Sequence, residues 1–245
     1  MRIIVRAVIL AAIAAALARL IHFNSPVNLP EHTHAVAAFL HVYAAIYGTM
    51  LAFLIFVVWG QFNGAEAGIA REGKALEELA ALCRAGRRDG CEEVHAAINA
   101  YAKIACEGEW QALANGTTSD AANQAFLQIQ ALVLKSTAAT ESEELTRETI
   151  IRVAERAATL RSERVAVSVT RIPPTLWNTL VFASGLLCSS VALLGVTEPA
   201  VSMYMTGGLT LVVSLVLGVV ADMDNPFAGV FNASRKPLER LKFIS

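Results

Sequence analysis

The sequence predicts an all-α integral membrane protein, with four transmembrane helices and a cytoplasmic helical domain inserted between spans two and three. Three observations carry this. The 245 residues are 55% hydrophobic and only 17% charged, where soluble domains are about a quarter charged, and the mean hydropathy is +0.51. The apolar residues fall into blocks near the length of about 20 residues that a helix needs to cross a bilayer. The charges collect between those blocks, in segments whose apolar positions recur at helical rather than alternating spacing. The net charge of −1 comes with no basic stripe, so no nucleic-acid partner is expected. Four scattered cysteines, Cys83, Cys91, Cys106 and Cys188, do not form a disulfide framework.

Residues 1–23 form the first membrane helix. Arg2 and Arg6 precede the apolar run Ala7–Ala18, and Arg19 closes it. The run is short enough for a secretory signal, with Ala16-Leu17-Ala18 as a cleavage site. The even pairing with the next span favours a retained helix with Arg6 and Arg19 reaching the two interfaces. In the loop that follows, Glu31, His32 and His34 lie close together. Two histidines two residues apart on a loop are a weak metal signal, and capping of the next helix is the favoured reading. Residues 35–60 form the second span, 26 residues without a formal charge, in which His41 is the one group titrating near neutrality and Trp59 marks an interface.

Residues 61–171 are the helical cytoplasmic domain. The first helix continues from the membrane to about Ala85. Asp89 and Glu92 are spaced as a capping box for a second helix, which runs to about Ala114. After a break at 115–119 a third runs to about Ala139. Thr140 and Glu143 form another capping pair, and the last helix reaches Arg171. Its charges read as a solvated face with pairs such as Glu148–Arg152. Pro173-Pro174 stops it. Residues 175–221 form a membrane hairpin of spans three and four, with Ser184, Gly185, Ser189, Ser190, Gly207 and Gly208 as small residues for close helix approach. Residues 222–245 are the tail.

No Lys or Arg lies between Arg19 and Arg71, or between Arg171 and Arg235. Four spans put the N-terminus, the middle domain and the tail on one side, and the positive-inside rule makes that side cytoplasmic.

No nucleophile–base pair, phosphate loop or zinc spacing stands out, so neither an enzyme nor a cofactor is expected. Cys91 and His95 share a helix face near Cys83 and Cys106, but no paired ligand motif supports a metal, and structural cysteines are the favoured reading. Asn115-Gly116-Thr117 is a formal glycosylation acceptor, discounted by its cytoplasmic placement. On the second span, His41, Ala45, Gly48, Thr49, Ala52 and Phe56 share one small, weakly polar face. Bulky residues such as Phe39, Tyr43, Ile46 and Leu54 crowd much of the rest. The face is either a packing seam built on Gly48 and Ala52 or the lining of a pore, since an ionisable residue within a span points to function.

Several segments resemble the bacterial bestrophin-like family. They are Phe56–Phe62 with Trp59, followed by Ala65, Glu72, Ala75 and Leu79; Tyr101 with Glu109, Trp110 and Leu113; Pro173-Pro174 before Trp177; and Asp224-Asn225-Pro226-Phe227-Ala228-Gly229, then Ser234, Pro237 and Leu238. The resemblance covers the chain from about residue 35 onward. Bestrophins are pentameric anion channels, with some bacterial relatives passing cations. It implies a homo-oligomeric channel for inorganic ions such as chloride, surrounded by lipid in a bacterial plasma (inner) membrane. His41, Ala45, Thr49, Ala52 and Phe56 would line the pore. Trp59, Gln61, Phe62, Asp222, Asp224, Asn225, Pro226 and Phe227 would form the cytoplasmic mouth and signature. Ala228–Phe231 stands where animal bestrophins carry an acidic calcium clasp, so no metal site is expected. The neck face is small where theirs is bulky. The rival reading is a non-conducting membrane scaffold whose cytoplasmic helices dock a partner.

Overall fold

The computed structural model describes residues 2–24, 33–85, 90–135, 140–192, 194, 196 and 198–243. Glu31, His32 and Asp89 lie outside them. All regular structure among the described residues is helical. The helices are α1 (Arg2–Asn24), α2 (Thr33–Ala85), α3 (Cys91–Ile104), a π-turn (Ala105–Glu109), α4 (Trp110–Ala114), α5 (Asp120–Lys135), α6 (Glu141–Val169), α7 (Pro174–Ala192), α8 (Pro199–Met223), α9 (Lys236–Glu239) and a closing 3-10 turn, Arg240–Phe243. The chain divides into two compact units. One comprises Met1–Trp59 with Ile172–Asp224, the other Gly60–Arg171 with Asn225–Ser245.

The first unit holds the helices long and apolar enough to cross a membrane: α1, the first half of α2, α7 and α8. Most of their apolar side chains face outward, including Val8, Phe53, Phe182 and Val212. Outward apolar faces suit helices solvated by lipid, where small residues and polar bonds do the packing. That division holds here. A Cβ on Gly207 would sit 3.3 Å from Ala15 Cβ, and one on Gly218 would collide with Ile3, so α1 lies close against α8. Ser184 is buried. Its Oγ lies 2.6 Å from the Tyr47 hydroxyl and donates to Leu180 O at 2.7 Å. The Tyr43 hydroxyl donates to Ala183 O at 2.8 Å. Gly185 and Gly208 have open space around them, and Ser189 and Ser190 bond only within their own helix, to Leu186 O. Asp224 Oδ1 accepts from Ile172 N at 2.9 Å, which joins the end of α8 to the entry of α7.

The second unit has a conventional apolar core. Ile69, Leu76 and Leu79 of α2, Ile98 and Tyr101 of α3, Phe126 and Ile129 of α5, and Ile150 and Ala157 of α6 meet in one cluster with Phe227, Leu238 and Leu241 of the tail. Its helix ends are signalled chemically. Thr140 and Glu143 close a reciprocal capping box on α6. Ser119 Oγ accepts from Ala122 N at the start of α5. The expected cap from Asp89 lies outside the described residues; α3 follows Gly90, at φ 87. A glycine takes that left-handed conformation without steric cost. The Glu148–Arg152 pair is replaced. Arg147 binds Glu144 at 2.8 Å, and Arg152 donates to Thr149.

Candidate functional site

The first half of α2 divides cleanly by burial. Tyr47, Leu54 and Val58 are buried, about 20–40° apart in azimuth at about 100° per residue. The opposite side is uncovered and carries His41, Ala45, Gly48, Thr49, Ala52 and Phe56, all exposed. No atom comes within 4 Å of a Cβ placed on Gly48, so among the described residues no helix packs on the Gly48–Ala52 seam. Val42, Ile46 and Phe53, also exposed, turn away from the small stripe and form a separate bulky strip. Both polar side chains of the small stripe bond back to their own helix: His41 Nδ1 lies 2.7 Å from Ala37 O, and Thr49 Oγ1 donates to Ala45 O at 2.9 Å. The stripe therefore presents an imidazole edge, methyl groups, backbone and the Phe56 ring, with no formal charge. At its foot Trp59 is half exposed, Gln61 is exposed and Phe62 is buried.

The signature after α8 is bound tightly within the second unit. Asn225 Nδ2 donates to Ala114 O at 2.8 Å, and Asn225 Oδ1 accepts from Phe227 N. Ala233 N donates to Pro226 O at 2.7 Å. Phe227 is buried edge-on to Trp110, with ring centroids 5.2 Å apart. These residues hold the tail; their visible chemistry is structural.

The charges of residues 61–171 read from sequence as a solvated face, and the structure corrects that for four of them. Glu72, Glu109 and Arg164 are fully buried, and Arg161 nearly so. Arg164 Nε donates to Glu72 Oε2 and its Nη2 to Glu109 Oε2, both at 2.7 Å; Nη2 also reaches the Tyr101 hydroxyl at 3.0 Å. Tyr101 donates to Glu72 Oε1 at 2.5 Å. Arg161 bridges Glu109 Oε1, at 2.6 Å, and Asn123 Oδ1, at 2.7 Å. Two carboxylates thus meet two guanidiniums, as buried charges require. Burial opposes the charge on Arg164, but Glu72, Tyr101 and Glu109 outweigh it and hold the guanidinium protonated well above the ordinary arginine range. Burial, then the charge on Glu72, drives the Tyr101 phenol well above its usual value. Lys242 of the tail pairs with the exposed Glu107 at 3.6 Å.

Cys91 and His95 do meet: Sγ lies 3.6 Å from Nε2, which is also 2.9 Å from Ala80 O. Burial pushes the Cys91 and Cys106 thiols up, the opposite of what a reactive or metal-binding thiolate needs. Among the described residues no group of three metal-ligating side chains occurs.

Four apolar helices long enough to cross a bilayer, joined in sequence to a helical unit with a buried ion cluster, define a helical membrane protein. The chain belongs to the Bestrophin-like family, whose domain pattern matches residues 7–238. Among solved structures it is similar to a substituted variant of a bacterial bestrophin homologue from Klebsiella pneumoniae, at 11% identity and TM-score 0.76, with 98% of each chain covered. A second substituted variant of that homologue matches at 12% identity and TM-score 0.65, over 100% of this chain and 97% of the other. A variant of a crystallised membrane protein matches at 11% identity and TM-score 0.71, over 98% and 96%. At these identities the likeness is one of fold. A comparison with curated proteins found no match.

Proposed function

We propose that this protein is an oligomeric ion channel whose pathway is lined by the stripe His41, Ala45, Thr49, Ala52 and Phe56. One observation carries the reading. In a chain of the Bestrophin-like family, the stripe predicted for the pathway is uncovered by any helix among the described residues. Copies arranged around an axis, five by resemblance to bestrophins, would bring these stripes together. Anions such as chloride are the favoured cargo, again by resemblance. An uncharged lining is compatible with them, since a pathway must bind ions weakly enough to release them. The charge distribution supports an inner-membrane topology with the second unit, the tail and both termini cytoplasmic. Domain limits at 61–171 and 222–245 follow from the same topology. The close packing of α1 on α8 supports its retention as a span.

The test is ion flux through purified protein in liposomes, with reversal potentials under asymmetric KCl. A selective current altered by substitution of Thr49 or Phe56 supports the channel and identifies its charge preference. One observation favours the scaffold instead: Leu127 and Leu134 of α5 face outward, each about 60% exposed, as a partner-docking face would. Silent liposomes containing correctly inserted oligomer would favour that reading.

A further inference from the structure

The helix from Cys91 to Ala114 contains one π-turn, Ala105–Glu109, and two separate systems depend on it. The first is the buried ion cluster. In an unbroken α-helix, Tyr101 and Glu109 would point about 80° apart, at about 100° per residue. One residue taken up by a π-turn reduces this to about 20°, and both side chains reach Arg164. The second is the tail. In an α-helix Trp110 N–H would bond Cys106 O; here it bonds Ala105 O, five residues back. Cys106 O instead accepts from Arg235 Nη1 at 3.3 Å, and the Arg235 guanidinium lies 5.0 Å over the Trp110 ring. A π-turn is a local register shift of the kind that recurs at functional sites, and an α-helical alternative is one residue of rotation away.

We propose that Ala105–Glu109 is a two-register switch that couples docking of the C-terminal segment, through Arg235, to the buried Arg164 cluster, through Glu109. With the tail docked, the π register is held by Arg235 and Glu109 is aimed at Arg164 and Arg161. With the tail released, Cys106 O regains Trp110 N–H, and Glu109 swings off the cluster by about 100°. The coupling is reciprocal, as any linkage between two sites must be. It does not rest on ion conduction.

The experiment is hydrogen exchange on the full-length protein in detergent, comparing wild type with Arg235→Gln. Coupling predicts faster exchange both in the tail (225–243) and in the α6 peptides carrying Arg161 and Arg164, by about fivefold or more, the low end of typical site-to-site coupling. Glu109→Gln should release the tail by the same factor. Because Glu109 is buried and its variant can fail to fold, the decision rests on Arg235→Gln, alone and combined with deletion of Gly108. Acceleration confined to residues 225–243, with the α6 peptides unchanged, overturns the switch. So does acceleration in the tail and α6 that persists undiminished in an Arg235→Gln variant lacking Gly108, where the extra residue of the π-turn is gone and no register remains to shift.

Discussion

Replacing Arg164 with alanine tests the buried cluster most directly. Arg164 makes two 2.7 Å ion-pair contacts, to Glu72 and to Glu109, within a site where both carboxylates are fully buried. Hydrogen bonds to charged groups contribute about 1.5–3 kcal/mol each, and removing one member of a buried pair costs about 3–5 kcal/mol. The two carboxylates do not suffer equally. Glu109 keeps Arg161 at 2.6 Å, whereas Glu72 is left with the Tyr101 hydroxyl. The expected loss is therefore about 3–5 kcal/mol, most of it from stranding Glu72. At about 2–4 °C per kcal/mol for a chain of this size, the thermal midpoint should fall by about 6–20 °C. The assay is thermal unfolding of the detergent-solubilised protein, followed by tryptophan fluorescence. Arg156→Ala is the control, since its pair with Glu78 spans 3.9 Å with both partners well exposed and should contribute about 0–1 kcal/mol. Adding Glu72→Gln to Arg164→Ala should recover part of the loss, because a neutral side chain needs no guanidinium. Equal small losses from Arg164→Ala and Arg156→Ala would refute the reasoning.

Tyr101 predicts an alkaline limit. Its folded value is raised by burial and by Glu72, so the stability it contributes is complete below the unfolded phenol's value of about 10 and is lost as pH rises above it. Tyr101→Phe should flatten that decline in a pH series of thermal midpoints. Gly73→Ala should loosen the tail, since the new Cβ would lie 2.9 Å from Pro237 O; overpacking of this kind costs about 1–3 kcal/mol, read as faster proteolysis after residue 225. Tyr47→Phe removes the bond to buried Ser184 and should cost about 0.6 kcal/mol, the average for polar contacts between membrane helices, measured as a small fall in the detergent melting temperature.

The apolar blocks announced α1, α2, α7 and α8 because length and hydropathy alone fix what can be solvated by lipid. The Thr140–Glu143 box was legible because both partners of a cap are local in sequence. The buried cluster was written more faintly. Glu72 follows Ile69 and precedes Leu76 and Leu79 at spacings of three, four and three, all buried, so it occupies a core position of its helix. Arg164 does the same between Leu160 and Val167 on α6. A charge on an apolar stripe is a signal in itself, but only tertiary structure supplies the partner. The π-turn had no such trace: nothing in Ala105–Glu109 distinguishes it from α-helix, and its register is set by Arg164 on one side and Arg235 on the other. The stripe on α2 was legible as a face. What meets it was not, because no helix among the described residues covers it.

The contact of α1 with α8 bears on how the protein is made. Ile3 and Gly218 meet, yet about 200 residues separate them. At a synthesis rate of about 5–20 residues per second, α1 waits about 10–40 s before its partner emerges from the ribosome. During that interval α1 has only lipid, the insertion machinery or other nascent helices against its Ala11 and Ala15 surface. Bundle closure is therefore a late, post-insertion step. Slowing translation before Pro199 should lengthen the period in which α1 is open to proteolysis or to capture by chaperones, without changing the finished fold.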